Sequence, residues 1–260
     1  MITIPKTFEL AALTITTYAP TVLGTINILS GYAGGGLTSS FDLSLTTHVI
    51  LERTRPTSTS DLTLVLDGIT ASQINTQVAA IHAAGSKAVL EIFTYYTETG
   101  YNTALGVAAR RAELIASCVS LQSTYNLDGF DFDWEADYNS NWSNADFDTL
   151  IAALYAALPA GNRILSSAVG AGKLSINAST VTNYMHHVGL MCYDGPWMDP
   201  ARTSPVYHPV IYGNLADSVY YMEYWRDTGG VPANKLVMGY RAYWYDWVGW
   251  KYVIAGSQPA

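Results

Sequence analysis

The chain has 260 residues, of which 49% are hydrophobic and only 13% are charged. This composition is typical of an ordered globular protein with a substantial core, and it excludes an intrinsically disordered chain. The net charge of −8, with 13 Lys and Arg residues scattered along the sequence, argues against nucleic acid as a partner, because a protein that binds the phosphate backbone needs clustered cations.

Short apolar runs alternate with helical patterns along the chain, as in repeated strand, helix, strand units. Near-continuous apolar runs of this kind favour a parallel sheet that is covered on both faces. Seven runs are predicted to be strands, over residues 25–32, 47–53, 87–94, 129–135, 163–168, 189–194 and 235–243.

The intervening segments predict helices over 71–84, 103–123, 143–158 and 214–228. Ser143 followed by Asp146 is a capping pattern that marks the start of the third helix. The alternation and the length favour a TIM (β/α)8 barrel, with a doubly wound sheet as the alternative architecture. Only residues 244–260 follow the seventh strand, so 249–255 is the one candidate for the eighth, and we expect the barrel to be irregular or incomplete there.

No linker rich in Pro, Gly and Ser divides the chain, which predicts a single domain over residues 1–260. No stretch approaches a membrane span of about 18 apolar residues. Cys118 and Cys192 fall on a predicted buried helix face and a predicted central strand, so we expect free thiols. The first residues, MITIPKTFEL, lack the pattern of a signal peptide, so we expect an intracellular protein or an exported one whose signal is missing.

The strand predicted at 129–135 carries the most informative motif, DGFDFDWE, from Asp128 to Glu135. Because a strand projects alternate side chains to opposite faces, Asp131, Asp133 and Glu135 share one face and three aromatic residues share the other. Crowded, buried carboxylates raise one another's pKa, and a raised pKa suits a general acid. Glu135 is the last of the row, at the end of the strand where parallel barrels hold their catalytic groups. Asp128 is out of phase and is interpreted as structural.

Two other interpretations of the acidic strand are disfavoured. A solvated edge strand with ordinary surface carboxylates is disfavoured by the intervening aromatic residues. A Mg²⁺ or Ca²⁺ site is disfavoured because the sequence has no second acidic cluster and no His pair at ligand spacing. His186 and His187 are adjacent and would point apart if extended, so we interpret the histidines as structural and predict no metal and no cofactor.

These residues resemble a known family. DGFDFDWE matches the DGxDxDxE signature of family 18 glycoside hydrolases, the chitinases and related endo-β-N-acetylglucosaminidases. On the predicted sixth strand, Met191, Tyr193 and Asp194 look like the family's MxYD segment.

Weaker similarities and two departures accompany these matches. The segment from Gly239 to Tyr243 is similar to the seventh-strand GxPxY pattern, with Arg241 where proline is usual, and Tyr32 is placed at the first-strand tyrosine. The third strand reads EIFT, residues 91–94, where the family has SxGG. The second strand carries a charged pair at residues 52 and 53.

The resemblance implies a barrel without an insertion domain, an open cleft and a substrate-assisted retaining hydrolysis of β-1,4-linked N-acetylglucosamine. Glu135 would be the proton donor and Asp133 its electrostatic partner, with Asp131 sharing a proton with Asp133. Tyr193 would hold the acetamide oxygen of the sugar. The other residues implied to bind substrate are Asp194, Met191, Tyr243, Tyr32 and Trp250, the last with Trp244 and Trp247 equally available.

The implied partner is chitin or another oligosaccharide that contains N-acetylglucosamine, bound by an extracellular, monomeric protein. Two alternatives remain open, an endo-β-N-acetylglucosaminidase that acts on N-glycan cores and a chitinase-like lectin without turnover. The presence of Glu135 favours catalysis, and Tyr193 beside Asp194 favours chitin.

Overall fold

The computed structural model describes residues 30–33, 43, 46–95, 97–135, 142–192, 208–209, 220–239, 243–246 and 251–254. The strands are β1 (Ser30–Ala33), β2 (His48–Ser58), β3 (Asp61–Leu66), β4 (Lys87–Thr94), β5 (Gly129–Trp134), β6 (Ile164–Gly170), β7 (His187–Met191), β8 (His208–Pro209), β9 (Leu236–Met238), β10 (Tyr243–Asp246) and β11 (Lys251–Ile254). The helices are α1 (Ala71–Ala83), α2 (Tyr101–Leu105), α3 (Ala108–Tyr125), α4 (Asn144–Ala157) and α5 (Ala178–Tyr184), followed by a helical stretch over 220–228.

The main sheet has the strand order β1-β2-β4-β5-β6-β7-β9, and these strands are parallel throughout. Helices connect most of them, as a parallel crossover requires. β3 is the exception, because it folds back antiparallel on the extended end of β2. Parallel strands place their carboxyl ends along one edge, so the residues that end β4, β5, β6 and β7 lie side by side.

The sheet curls back on itself. His48 begins β2 and His187 begins β7, and β4, β5 and β6 separate these strands in the sheet. The two imidazole rings nevertheless have centroids only 5.7 Å apart, and His186 lies 4.6 Å from His48. Such contacts across the interior require the curvature of a barrel.

Most of the predicted elements are confirmed with small shifts in their bounds. β4 coincides with its prediction, and α1, α4, β5 and β6 differ by one or two residues at an end. The helix predicted over 103–123 is divided into α2 and α3 at Gly106, whereas α5 and β3 were not predicted. The Ser143 cap is confirmed, because its Oγ accepts a hydrogen bond from the Asp146 backbone N–H at 3.2 Å.

The prediction for the carboxyl-terminal strands was wrong in two places. The seventh barrel strand ends at Met238, and Tyr243 belongs instead to β10, in a separate antiparallel sheet with β8 and β11. The candidate eighth strand contains β11, which pairs with β10 rather than with the parallel sheet. Four residues connect β10 to β11, which suffices for an antiparallel hairpin but not for the crossover that a parallel pair needs.

The main core lies between the sheet and the helices. Phe132 of β5 is fully buried and meets Phe147 of α4 edge to face, with ring centroids 5.5 Å apart. Burying a side chain of this size contributes about 2–3 kcal/mol. Cys118 and Cys192 are both buried and free, as predicted. No helix in the described ranges is both long and apolar enough to cross a membrane.

Candidate active site

The acidic motif lies on β5, in the middle of the sheet. Phe130, Phe132 and Trp134 pack into the core on the helix side, which leaves the acids on the barrel side. Asp131 is 1% exposed, whereas Asp133 and Glu135 are half-buried. Exposure therefore increases along the row, toward the carboxyl edge of the sheet.

Glu135 follows the last residue of β5 and is still tied to the neighbouring strand. Its backbone N–H donates to the carbonyl of Thr94, the last residue of β4, at 3.3 Å. The sheet thus fixes the backbone of Glu135 at the mouth of the barrel, where a substrate could reach its carboxyl group.

Asp131 lies one layer deeper and is held by β6. It pairs in register with Ser166, whose hydroxyl donates a hydrogen bond to Asp131 Oδ1. Ser166 is fully buried, so the interaction is shielded from water. A hydrogen bond that is shielded from water in this way helps to hold the Asp131 side chain in one orientation.

A fourth carboxyl group, which was not predicted to belong to the site, joins the cluster. Glu91 of β4 stands beside Asp131 in register, is 3% exposed and hydrogen-bonds to Asp133. The signal was present in the sequence, since Glu91 is the single acid in the apolar run KAVLEIFT. Its burial against β5 depends on strand register, which a single strand does not reveal.

The carboxyl groups perturb one another strongly. Burial raises the pKa of Glu91 to about 10, and the neighbouring carboxylates, Asp133 first and then Glu52 and Asp131, shift it in the same direction. Burial also raises the pKa of Asp133 well above its usual value, followed by the charges of Glu135 and Asp131. The cluster therefore retains protons at neutral pH that isolated carboxylates would release.

Beside the acids, Arg53 of β2 packs against two aromatic residues at the end of β4. Phe93 pairs in register with Asp133, and the Arg53 guanidinium lies 4.5 Å from the centroid of the Phe93 ring. Arg53 also donates to the Tyr95 hydroxyl at 3.0 Å and forms an ion pair with Asp67 at 3.4 Å. Tyr95 is exposed, so its ring is accessible from solvent near the acids.

On the other side of Glu135, an open pocket lies at the ends of β5, β6 and β7. Its lining includes Glu135, Trp142, Lys173 and Met191. Met191, a predicted binding residue, ends β7 and pairs with Gly170 of β6.

The other predicted site residues are placed only partly. Tyr32 lies in β1, opposite Ile50 in register, and Tyr243 lies in β10, outside the parallel sheet. Tyr193, Asp194 and Trp250 fall outside the described residues.

Asp128 lies at the opposite, amino end of β5, in agreement with its interpretation as structural. It accepts hydrogen bonds from Lys87 Nζ at 2.8 Å and the Ala88 backbone N–H at 2.9 Å, and it lies 2.7 Å from His82 Nε2. Burial opposes its ionisation, but the bonds from Lys87, Ala88 and His82 lower the pKa of Asp128 overall.

A curled parallel sheet with a row of acids at its carboxyl edge defines an enzyme-like α/β barrel. The family model of glycosyl hydrolases family 18 matches residues 29–252, so the chain belongs to this family.

Several solved structures have folds similar to that of this chain. A chitinase from Bacteroides thetaiotaomicron has a TM-score of 0.71 at 24% identity, covering 85% of this chain and 68% of that one. The chitinase domain of the spore coat protein CotE from Clostridium difficile has a TM-score of 0.65 at 19% identity, with 88% and 68% covered. A class V chitinase from Nicotiana tobaccum in complex with NAG4 has a TM-score of 0.64 at 20% identity, with 82% and 66% covered. The fold of this chain is the TIM barrel.

Proposed function

We propose that this protein is a chitinase-type glycosidase that hydrolyses β-1,4-linked N-acetylglucosamine polymers or oligomers with retention of configuration. The observation that carries the proposal is the graded row of acids on β5, in which Asp131 is buried and Glu135 stands at the mouth. Membership of glycosyl hydrolases family 18 supports it, as do the chitinase neighbours, one of which was crystallised with NAG4.

In the proposed reaction, Glu135 protonates the glycosidic oxygen as the bond to the anomeric carbon breaks. The carbonyl oxygen of the sugar's own 2-acetamido group attacks that carbon, which gives a cyclic oxazolinium intermediate. Glu135, now a carboxylate, removes a proton from the water that opens the ring. Two displacements on one carbon retain its configuration.

Asp133 supplies the electrostatic support for the intermediate. A carboxylate on the same face as Glu135 accepts a hydrogen bond from the acetamide N–H and stabilises the positive charge that develops there. Asp131, anchored by Ser166, lies one layer deeper than Asp133 on the same face of β5. In this proposal Tyr193 holds the acetamide oxygen.

The substrate lies along the carboxyl edge of the sheet. We assign it to contacts near Glu135 and Met191 on one side and to the Phe93 and Tyr95 rings on the other, because aromatic faces pack well against the apolar faces of sugars. The remaining proposed contacts, which rest on the family resemblance, are Tyr32, Asp194, Tyr243 and Trp250.

The test measures release of a fluorogenic aglycone from chitobiose and chitotriose glycosides by the wild type and by Glu135→Gln. Loss of the general acid should lower kcat by about 100-fold or more. Glu223→Gln is the matched control, because it is the same exchange at an exposed side chain on the outer helical stretch. Binding of chitin oligomers, followed by calorimetry, should persist in the variant.

Two further readouts separate the alternatives. Retention of configuration is checked by following the anomeric proton of the first product by NMR. Participation of the substrate's acetamide group is tested with a glucoside that lacks this group, which should not be cleaved. Oligomer binding without turnover in the wild type would indicate a lectin. Cleavage of N-glycan cores with chitin oligomers left intact would indicate an endo-β-N-acetylglucosaminidase.

A further inference from the structure

Glu91 occupies a position that leaves a carboxyl group almost entirely out of water. It is 3% exposed, and its strand neighbour on β5 is another buried acid, Asp131. An ionised carboxylate in such a position is strongly destabilising unless a cation or several hydrogen bonds offset the loss of hydration. The contacts around Glu91 show whether such an offset exists.

The nearby cation offers little compensation. Arg53 exerts the smallest of the electrostatic effects on Glu91. Its guanidinium packs on Phe93, bonds to Tyr95 and forms an ion pair with Asp67. Arg53 therefore makes these contacts with groups other than the buried acids.

The hydrogen bond between Glu91 and Asp133 requires a proton, because two ionised carboxylates can only accept. One oxygen of each group, Glu91 Oε2 and Asp133 Oδ1, lacks a hydrogen-bond partner in the described part of the chain. Glu91 is only 3% exposed, so a charge on its carboxyl group would be costly.

We propose that Glu91 is a neutral carboxylic acid at neutral pH and acts as a positioning residue, donating a hydrogen bond that holds Asp133 as an acceptor behind Glu135. The role of Asp133 rests on the proposed function, whereas the proton on Glu91 is a property of the folded cluster. Burial and the neighbouring carboxylates raise the pKa of Asp133 overall, and the bond from Glu91 acts in the opposite direction, as expected when Asp133 is the acceptor. With the shared proton on Glu91, Asp133 is the carboxylate that stabilises positive charge on the acetamide group.

The proton is detected directly by infrared spectroscopy at pH 8, because a neutral carboxylic acid has a C=O stretching band that a carboxylate lacks. We expect this band in the wild type, with an isotope shift when only glutamate is labelled with ¹³C. The band should disappear in Glu91→Gln and persist in Glu135→Gln. A band that is missing, that ignores the glutamate label or that survives in Glu91→Gln overturns the proposal.

Stability at alkaline pH gives a second readout that does not involve activity. The folded state keeps a proton on Glu91 that the unfolded chain loses above its ordinary pKa, so stability falls as the pH rises. The decrease in Tm between pH 5 and pH 9 should be smaller in Glu91→Gln than in the wild type. Equal decreases would contradict a proton held by Glu91.

The positioning role is tested by kinetics on the same glycosides. Glu91→Gln retains an N–H donor and should keep kcat within a few-fold of the wild type, whereas Glu91→Ala should lower kcat about 10-fold to 100-fold at unchanged KM. Equal losses in the two variants would contradict donation to Asp133. If the wild type cleaves no glycoside, the proposed function fails, while the infrared and alkaline experiments still decide where the proton lies.

Discussion

Three histidines at the amino end of the barrel should make stability depend on pH in a way that one substitution can isolate. His48 and His187 are buried, and His186 Nδ1 lies 3.1 Å from His187 Nδ1, so the adjacent pair does not point apart as expected. His186 precedes β7 and is therefore outside the alternation of the strand. We expect His187→Asn and His48→Asn to remove an acid-induced loss of stability.

The sign follows from the pKa shifts. Burial is the main cause that lowers the pKa of His187 to about 3, with the charges of His186 and His48 next. Burial and then His186 lower the pKa of His48 to about 4, with Lys87 acting the same way and Asp128 opposing. Below the unfolded value of 6.5, the unfolded chain binds protons that the folded state refuses, so stability is lost as the pH falls.

The magnitude follows from one proton per histidine. Between pH 7 and pH 5, each of His48 and His187 should remove about 2 kcal/mol from the free energy of unfolding, at about 1.4 kcal/mol per pH unit below 6.5. Glu91 acts with the opposite sign over the same range, because its raised pKa makes the folded state bind the extra proton. Where the two effects cancel, the free energy of unfolding of the wild type does not change with pH. Only the difference in this free energy between a variant and the wild type reports on a single histidine.

The assay is urea unfolding at pH 5, 6 and 7, followed by tryptophan fluorescence. The free energy of unfolding of His187→Asn minus that of the wild type should increase by about 2 kcal/mol between pH 7 and pH 5. This increase does not depend on how much the substitution changes the stability at pH 7. Val188→Ala is the control, because Val188 is fully buried beside His187 and does not titrate. Truncation of its side chain should lower the free energy of unfolding by about 2 kcal/mol at every pH. Parallel stability profiles for His187→Asn and wild type would refute the reasoning.

Three further substitutions test the scaffold of the site by urea unfolding. Gly129→Ala should lower the free energy of unfolding by more than about 3 kcal/mol or prevent folding, because a Cβ would lie 1.8 Å from the Ile164 carbonyl oxygen. A variant of near-native stability would contradict the close pairing of β5 with β6. Ser143→Ala should cost about 1 kcal/mol through loss of the cap on α4, and restoration by Ser143→Asp would identify the cap as the cause. Asp128→Asn should lower the free energy of unfolding by about 2 kcal/mol at pH 7. The difference between this variant and the wild type should become smaller as the pH falls and Asp128 protonates. A difference that stays constant with pH would exclude the charge of Asp128 as the source of the stabilisation.

Local patterns predicted much of the fold because they depend on neighbours along the chain. The alternation in DGFDFDWE alone places the aromatic residues and the acids on opposite faces of β5, and the structure confirms that division. The continuation of β2 past Pro56 into the hairpin with β3 was missed, since a proline usually argues against a strand. The break between α2 and α3 at Gly106 also follows from context rather than from periodicity.

The sequence by itself determined the family, the parallel barrel and the position of Glu135 at the end of an acidic strand, because each depends on residues close together in the chain. Only the tertiary structure decided that Glu91 joins the acids and that His48 meets His187. The register of β4 on β5 sets the first contact, and the curl of the whole sheet sets the second. Both contacts join residues far apart in sequence, and their burial, which is the source of the perturbed pKa values, exists only once the barrel has formed.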